Sequence, residues 1–171
     1  MTWKGVKNMK RIIIHWTAGT NYPCSTDLEH YHYLIDKDGK LYNGKYAPED
    51  NEDCTDKKYA QHCGGGNTGA IGISLCGMYV PTGVAVQKTK YPLTAVQCER
   101  AFKLIAELAK KYNIAITSDN IMTHYEFGKK NPKTSSYGKI DIIYLPPYTT
   151  ITANKMGDFI RGKVRWYYEK I

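Results

Sequence analysis

The segment TAVQCERAFKLIAELAKKY, residues 94–112, places the tightest constraint on the fold. Thr94 and Gln97 match a capping box, and behind them Cys98, Ala101, Phe102, Ile105, Ala109 and Tyr112 recur along one stripe that Leu104 and Leu108 widen. A helix over 95–112 would expose those large side chains to water unless another layer covers them. The rest of the chain supplies strands for that layer. RIIIHW at 11–16 is rich in β-branched residues, and AIGISLC at 70–76 reads as a core strand whose glycine permits close packing at some cost in strand propensity. Residues 32–36 and 40–43 flank a KDG turn in which Gly39 supplies a positive φ. Met156, Phe159, Ile160, Val164 and Tyr167 predict a second helix over 153–169, with Gly157 and Gly162 each weakening it by about 1 kcal/mol relative to alanine. Together these elements predict an α/β fold, a central mixed β-sheet flanked by helices.

A chain of 171 residues with 42% hydrophobic side chains can bury one good core, so residues 1–171 are expected to form a single domain. The formal charge is +8, from 24 Lys and Arg against 16 Asp and Glu, and it is scattered rather than gathered into an arm. Such a surface field favours an anionic partner: nucleic acid, a membrane surface or an acidic wall polymer. No stretch approaches the roughly 18 apolar residues of a membrane span, and MTWKGVKNMKRIII lacks the apolar region of a conventional secretory signal. The five cysteines form no CxxC pair, and their odd number leaves at least one thiol unpaired in a monomer. Reduced, partly buried cysteines are expected, with a Cys24–Cys54 bridge left open.

Two histidines stand where an apolar, strand-like run gives way to polar residues: His15 after RIII, and His124 in IMTHYEF. With a carboxylate such as Asp141 they form the type of set that holds catalytic zinc, three protein ligands and an open position for water. Spacing alone does not decide it. His15 and His124 are 109 residues apart, Asp141 lies 17 beyond His124, and there is no HExxH. Separate core or surface roles for these residues are the plainer reading at this level.

The ordered set of segments says more than any one of them. RIIIHWTAG, HYHYLIDKDGKLYNGKY, YAQHCGGGNTGAIGISLCGM, TAVQCERAFKLIAELAKKYNI, ITSDNIMTHYEF and YGKIDIIYLP cover roughly residues 10–145. In this order they resemble the zinc-dependent N-acetylmuramoyl-L-alanine amidases of the type 2 amidase family, which include phage lysozyme-like amidases and share a fold with peptidoglycan recognition proteins. The resemblance implies Zn2+ held by His15, His124 and Asp141 beside a surface groove. It further implies catalytic roles for Lys139 and Tyr31 and a substrate contact at His62. The reaction implied is hydrolysis of the amide between N-acetylmuramic acid and L-alanine, with Lys139 stabilising the oxyanion and Tyr31 orienting water or exchanging a proton. Some relatives carry a glutamate base where this chain has Ser74, and serine is no substitute for a carboxylate base. Compact phage-type relatives also place the last two ligands closer together, so residues 125–138 are expected to be an enlarged groove loop, with Ile140 facing the core.

The remaining polar residues have plainer expectations. His30 reads as a surface residue, His32 as support for the site, and Glu126 as a residue that bonds a ligand or shapes its loop. Segments 44–69 and 128–139 suit groove walls, whereas HCGGGN lacks the phosphate-loop pattern and is read as glycines that let the chain pass close to the groove. Peptidoglycan is the expected partner, with no nucleic acid and no integral membrane segment, and a monomer is expected. Such a chain suits a phage or prophage endolysin, made in the cytoplasm without an evident signal peptide and acting at the wall or periplasm after release. A non-catalytic peptidoglycan-binding protein and a bacterial remodelling amidase are the alternatives.

Overall fold

The computed structural model describes residues 9–171. Its strands are β1 (Arg11–Trp16), β2 (Tyr33–Ile35), β3 (Leu41–Asn43), β4 (Ala70–Leu75) and β5 (Ile121–Thr123), in the sheet order β3-β2-β4-β1-β5. β1 runs parallel to β4 and β5, β2 runs parallel to β4, and β2 and β3 make the antiparallel hairpin. The sheet is therefore mixed, as expected. Its helices are α1 (Ser25–His30), α2 (Ala95–Tyr112), α3 (His124–Lys130) and α4 (Ala153–Tyr168).

Strand alternation divides the molecule into two unequal layers. Ile12, Ile14 and Trp16 enter the larger core with Phe102, Ile105 and Leu108 of α2 and Met156, Ile160 and Val164 of α4. Ile13 points the other way and packs with Cys63, Ala70, Met122 and Phe127. His15, two residues on, shares that second face. Each fully buried isoleucine contributes roughly 1.5–3 kcal/mol, so the run of three fixes the strand's position in both layers. Gln97 does more than close the α2 cap: it is fully buried, and its amide donates to the carbonyls of Ile35 and Cys76 at 2.8 and 3.0 Å. The helix start is thereby tied to the ends of β2 and β4.

The expected groove loop 125–138 is corrected at its first half, which is helix α3. Thr123 accepts from the Glu126 amide and the Glu126 carboxylate accepts from the Thr123 amide, both at 3.0 Å. THYE is thus a capping box in its own right. Glu126 also receives both terminal nitrogens of the buried Arg161 at 3.0 Å, and Arg161 donates to the Ile121 carbonyl at 2.9 Å. This fork fastens α4 to β5 and α3.

The two α4 glycines differ in consequence. A Cβ on Gly157 would overlap the Glu126 carboxylate, whereas one on Gly162 would meet nothing within 4 Å. Gly162→Ala is expected to stabilise the protein by about 1 kcal/mol through helix propensity. Gly157→Ala should destabilise it by about 1–3 kcal/mol through overpacking. Urea denaturation of the two variants checks the pair, and equal shifts would remove the case for a close approach at Gly157.

Candidate metal centre

Parallel pairing assembles the centre. Ile14 of β1 is registered with Thr123 of β5, so His15 and His124 each lie one residue beyond adjacent partners. Asp141 reaches the same point from the turn after α3. Its carboxylate Oδ2 lies 2.8 Å from His15 Nδ1 and 3.0 Å from His124 Nδ1, and the two Nδ1 atoms are 3.1 Å apart. The side chains of His15 and His124 are 0% and 7% exposed and that of Asp141 is 13% exposed.

The turn that delivers Asp141 is conformationally costly. Ile142 has φ 71°, a left-handed conformation that a β-branched residue seldom adopts, and its side chain is buried. Ile140, expected to face the core, is instead 46% exposed on the groove rim, and Ile142 takes the core position. The left-handed residue breaks strand-like alternation.

Burial lowers the His15 pKa to about 4, against the bond to Asp141. Burial also acts to lower His124, but the bond to Asp141 and the neighbouring Cys63 outweigh it and raise the value to about 9. Burial would raise the Asp141 pKa, yet the adjoining His124 and His15 imidazoles hold it well below the usual carboxylate range. The carboxylate is thus matched by a proton on His124, which a cation at the same point would displace. Two imidazole nitrogens and a carboxylate oxygen, all within 3.1 Å of one another, are a donor set that fits zinc.

A groove of about 590 Å³ runs over this centre. Gln61, Asn67, Ser135 and Lys139 give it polar walls, and Trp16, Met78, Val80 and Val86 line an apolar side. Tyr31 is half-buried with its ring 5.2 Å from that of His15. Burial, and then the Asp141 charge, raise its pKa, so the phenol keeps its proton. Lys139 is exposed on the wall. His62 also lines the groove, but both its nitrogens are engaged: Nδ1 is 3.0 Å from His15 Nε2, and Nε2 is 3.1 Å from the Ala70 carbonyl. Burial pushes its pKa well down. The expected substrate contact cannot therefore use a ring nitrogen while these bonds stand.

Several supporting residues carried no sequence signal. Ser136 is fully buried, its Oγ 2.9 Å from His124 Nε2. Asn51 is fully buried inside segment 44–69, accepting from His32 Nε2 and the Ala60 amide and donating to the Ala60 and Asn67 carbonyls. His32 accepts from the Gly72 amide, while half-buried His30 bonds the Gln61 carbonyl away from the centre. Glu126 serves the α3 cap and Arg161 rather than His15 or His124. All five cysteines are free thiols, Cys24 and Cys54 included.

Residues 5–137 match the profile of the N-acetylmuramoyl-L-alanine amidase family, and the chain belongs to that family. The match ends before Lys139 and Asp141, whose placement rests on the geometry above. A glutamate-to-alanine mutant of PlyL has a similar fold, with a TM-score of 0.51 at 19% identity, covering 93% of this chain and 86% of the other. Unsubstituted PlyL gives 0.50 at 17% identity, over 92% and 84%. The N-acetylmuramoyl-L-alanine amidase LysC from Clostridium intestinale URNW gives 0.49 at 20% identity, over 79% and 84%. A search of curated proteins gives no match.

Zinc at this centre should bind one ion per chain and raise thermal stability, by about 2.7 kcal/mol at a free concentration 100-fold above Kd. Asp141→Ala should abolish that gain. Metal analysis and melting with and without a chelator check both, and an unchanged melting point on zinc addition to wild type would count against the assignment.

Proposed function

We propose that the chain hydrolyses the amide between the lactyl group of N-acetylmuramic acid and L-alanine in bacterial peptidoglycan, with zinc held by His15, His124 and Asp141. The observation that carries this reading is the convergence of three donor atoms beneath a groove whose walls present Tyr31 and Lys139. When bound, zinc supplies a Lewis acid that makes water nucleophilic near neutral pH and polarises a carbonyl oxygen.

The chain's own residues do the rest. The scissile carbonyl oxygen gains negative charge as the amide carbon becomes tetrahedral, and the Lys139 ammonium on the wall stabilises that charge. The departing L-alanine nitrogen must gain a proton to leave as an amine. Tyr31, whose burial keeps the phenol protonated, is the donor beside the centre. Ser74 is in register with His15 on the same face, but a hydroxyl there is no carboxylate base. The apolar side formed by Trp16, Met78, Val80 and Val86 excludes water from one flank, and the polar wall offers partners to sugar and peptide amides.

The +8 charge draws the protein toward anionic wall polymers, which fits a wall-lytic enzyme, and we read the chain as a phage or prophage endolysin. Zinc-loaded protein incubated with purified cell wall should release stem peptides with a free L-alanine amino group. No release would reject the reading. Lys139→Ala should lower kcat by about 10²–10³-fold, and Tyr31→Phe by about 10²-fold. Both variants should retain one zinc per chain, as metal analysis alongside the peptide-release assay can establish.

A further inference from the structure

We infer that two hydrogen-bond relays, His15–His62–Ala70 and His124–Ser136–Gly64, decide which nitrogen of each metal-facing histidine carries its proton, making His62 and Ser136 positioning residues for the metal. The inference rests on the metal reading of the centre and deepens it.

Each relay ends on a backbone carbonyl, which can only accept. In the first, the Ala70 carbonyl lies 3.1 Å from His62 Nε2, so that nitrogen must donate. Neutral His62 then has a lone pair at Nδ1, 3.0 Å from His15 Nε2, and His15 must donate to it. The proton of His15 is thus on Nε2, and its Nδ1 lone pair, 2.8 Å from the acceptor-only Asp141 carboxylate, makes a contact between two acceptors that a shared cation resolves. In the second, Ser136 Oγ lies 2.7 Å from the Gly64 carbonyl and gives it the hydroxyl proton. His124 Nε2, 2.9 Å from the same oxygen, must therefore donate to it. Cys63 Sγ, at 3.4 Å, supplies the second donor that a serine oxygen can accept. Every site on the hydroxyl is used. Both rings consequently hold their outer proton on Nε2 and leave Nδ1 for a cation, the tautomer a ligand requires.

The surrounding sequence is shaped to permit this. A Cβ on Gly72 would overlap the His62 ring, so the strand glycine is what lets His62 lie against the sheet beside His15. Ser136 lies in the segment between His124 and Asp141, and its backbone carbonyl packs so closely on Gly128 that a side chain there would collide. The long separation between these two ligands thus contains a functional group, not only groove wall.

The test reads tautomers and zinc affinity rather than hydrolysis. In zinc-loaded protein, imidazole nitrogen NMR should show His15 bound through Nδ1 with its proton on Nε2. Ser136→Ala and His62→Leu should each weaken zinc binding by about 10–100-fold in competition with a chelator. His62→Gln, whose amide can accept from His15 and donate to Ala70, should stay within about 3-fold of wild type by the same relay logic. Circular dichroism confirms folding, and Ser136→Ala carries the test if His62→Leu does not fold. A His15 bound through Nε2 overturns the inference, as do equal affinities for His62→Leu and His62→Gln or an unaltered affinity in Ser136→Ala. Wild-type protein that binds no zinc would instead sink the metal reading itself, on which the inference rests.

Discussion

The parallel pairing of β1 with β5 is the constraint on which the candidate site depends. Residues 109 apart in sequence have Nδ1 atoms 3.1 Å apart because the Ile14–Thr123 register places the carboxyl ends of two neighbouring strands together. Ligand sites in α/β sheets form at such ends, where side chains leave the sheet and loops begin. A slip of one residue in either strand would turn a histidine to the opposite face. The Ile12–Ile14 run prevents that slip, since each shift would exchange residues between two packed layers.

The large core and the site are therefore two outputs of one alternation. α2 and α4 cover one face with apolar side chains and leave the other to a small cluster, three histidines and the groove. Apolar burial holds the sheet in place, and that rigidity lets His15, His124 and Asp141 approach within hydrogen-bond distance although burial disfavours charge on each. The left-handed Ile142 adds a local conformational cost, and its buried side chain holds that turn against the core.

What was legible in the sequence follows from signal length. α2 and β1 match their expected bounds because an 18-residue stripe and a triplet of isoleucines leave little choice. α1 was not anticipated because it buries no side chain and so has no periodicity, and the three-residue β5 is too short to show one. α3 could have been found from THYE. The histidines were identifiable as candidates, but only the ordered family segments joined them to Asp141. Ser136 and Asn51 had no signal at all: a serine in a polar loop and an asparagine in a charged one look solvated until the chain folds over them. The exchange of Ile140 for Ile142 shows a further limit, since alternation presumes extended backbone and fails at one left-handed residue.

The glycine run in HCGGGN gains its meaning from the opposite wall. Added Cβ atoms on Gly64, Gly65 and Gly66 would strike Ser135, Thr134 and Phe127 respectively, so three consecutive residues of one segment are shaped to receive the other. Ser136 then bonds the Gly64 carbonyl on one side and His124 on the other. The two walls are thus joined beneath the groove, at a hydroxyl that also touches His124. A change in the spacing of those walls must move Ser136 with respect to His124. The groove and the candidate metal geometry are consequently parts of one packed unit, and the residues between His124 and Asp141 are what connect them.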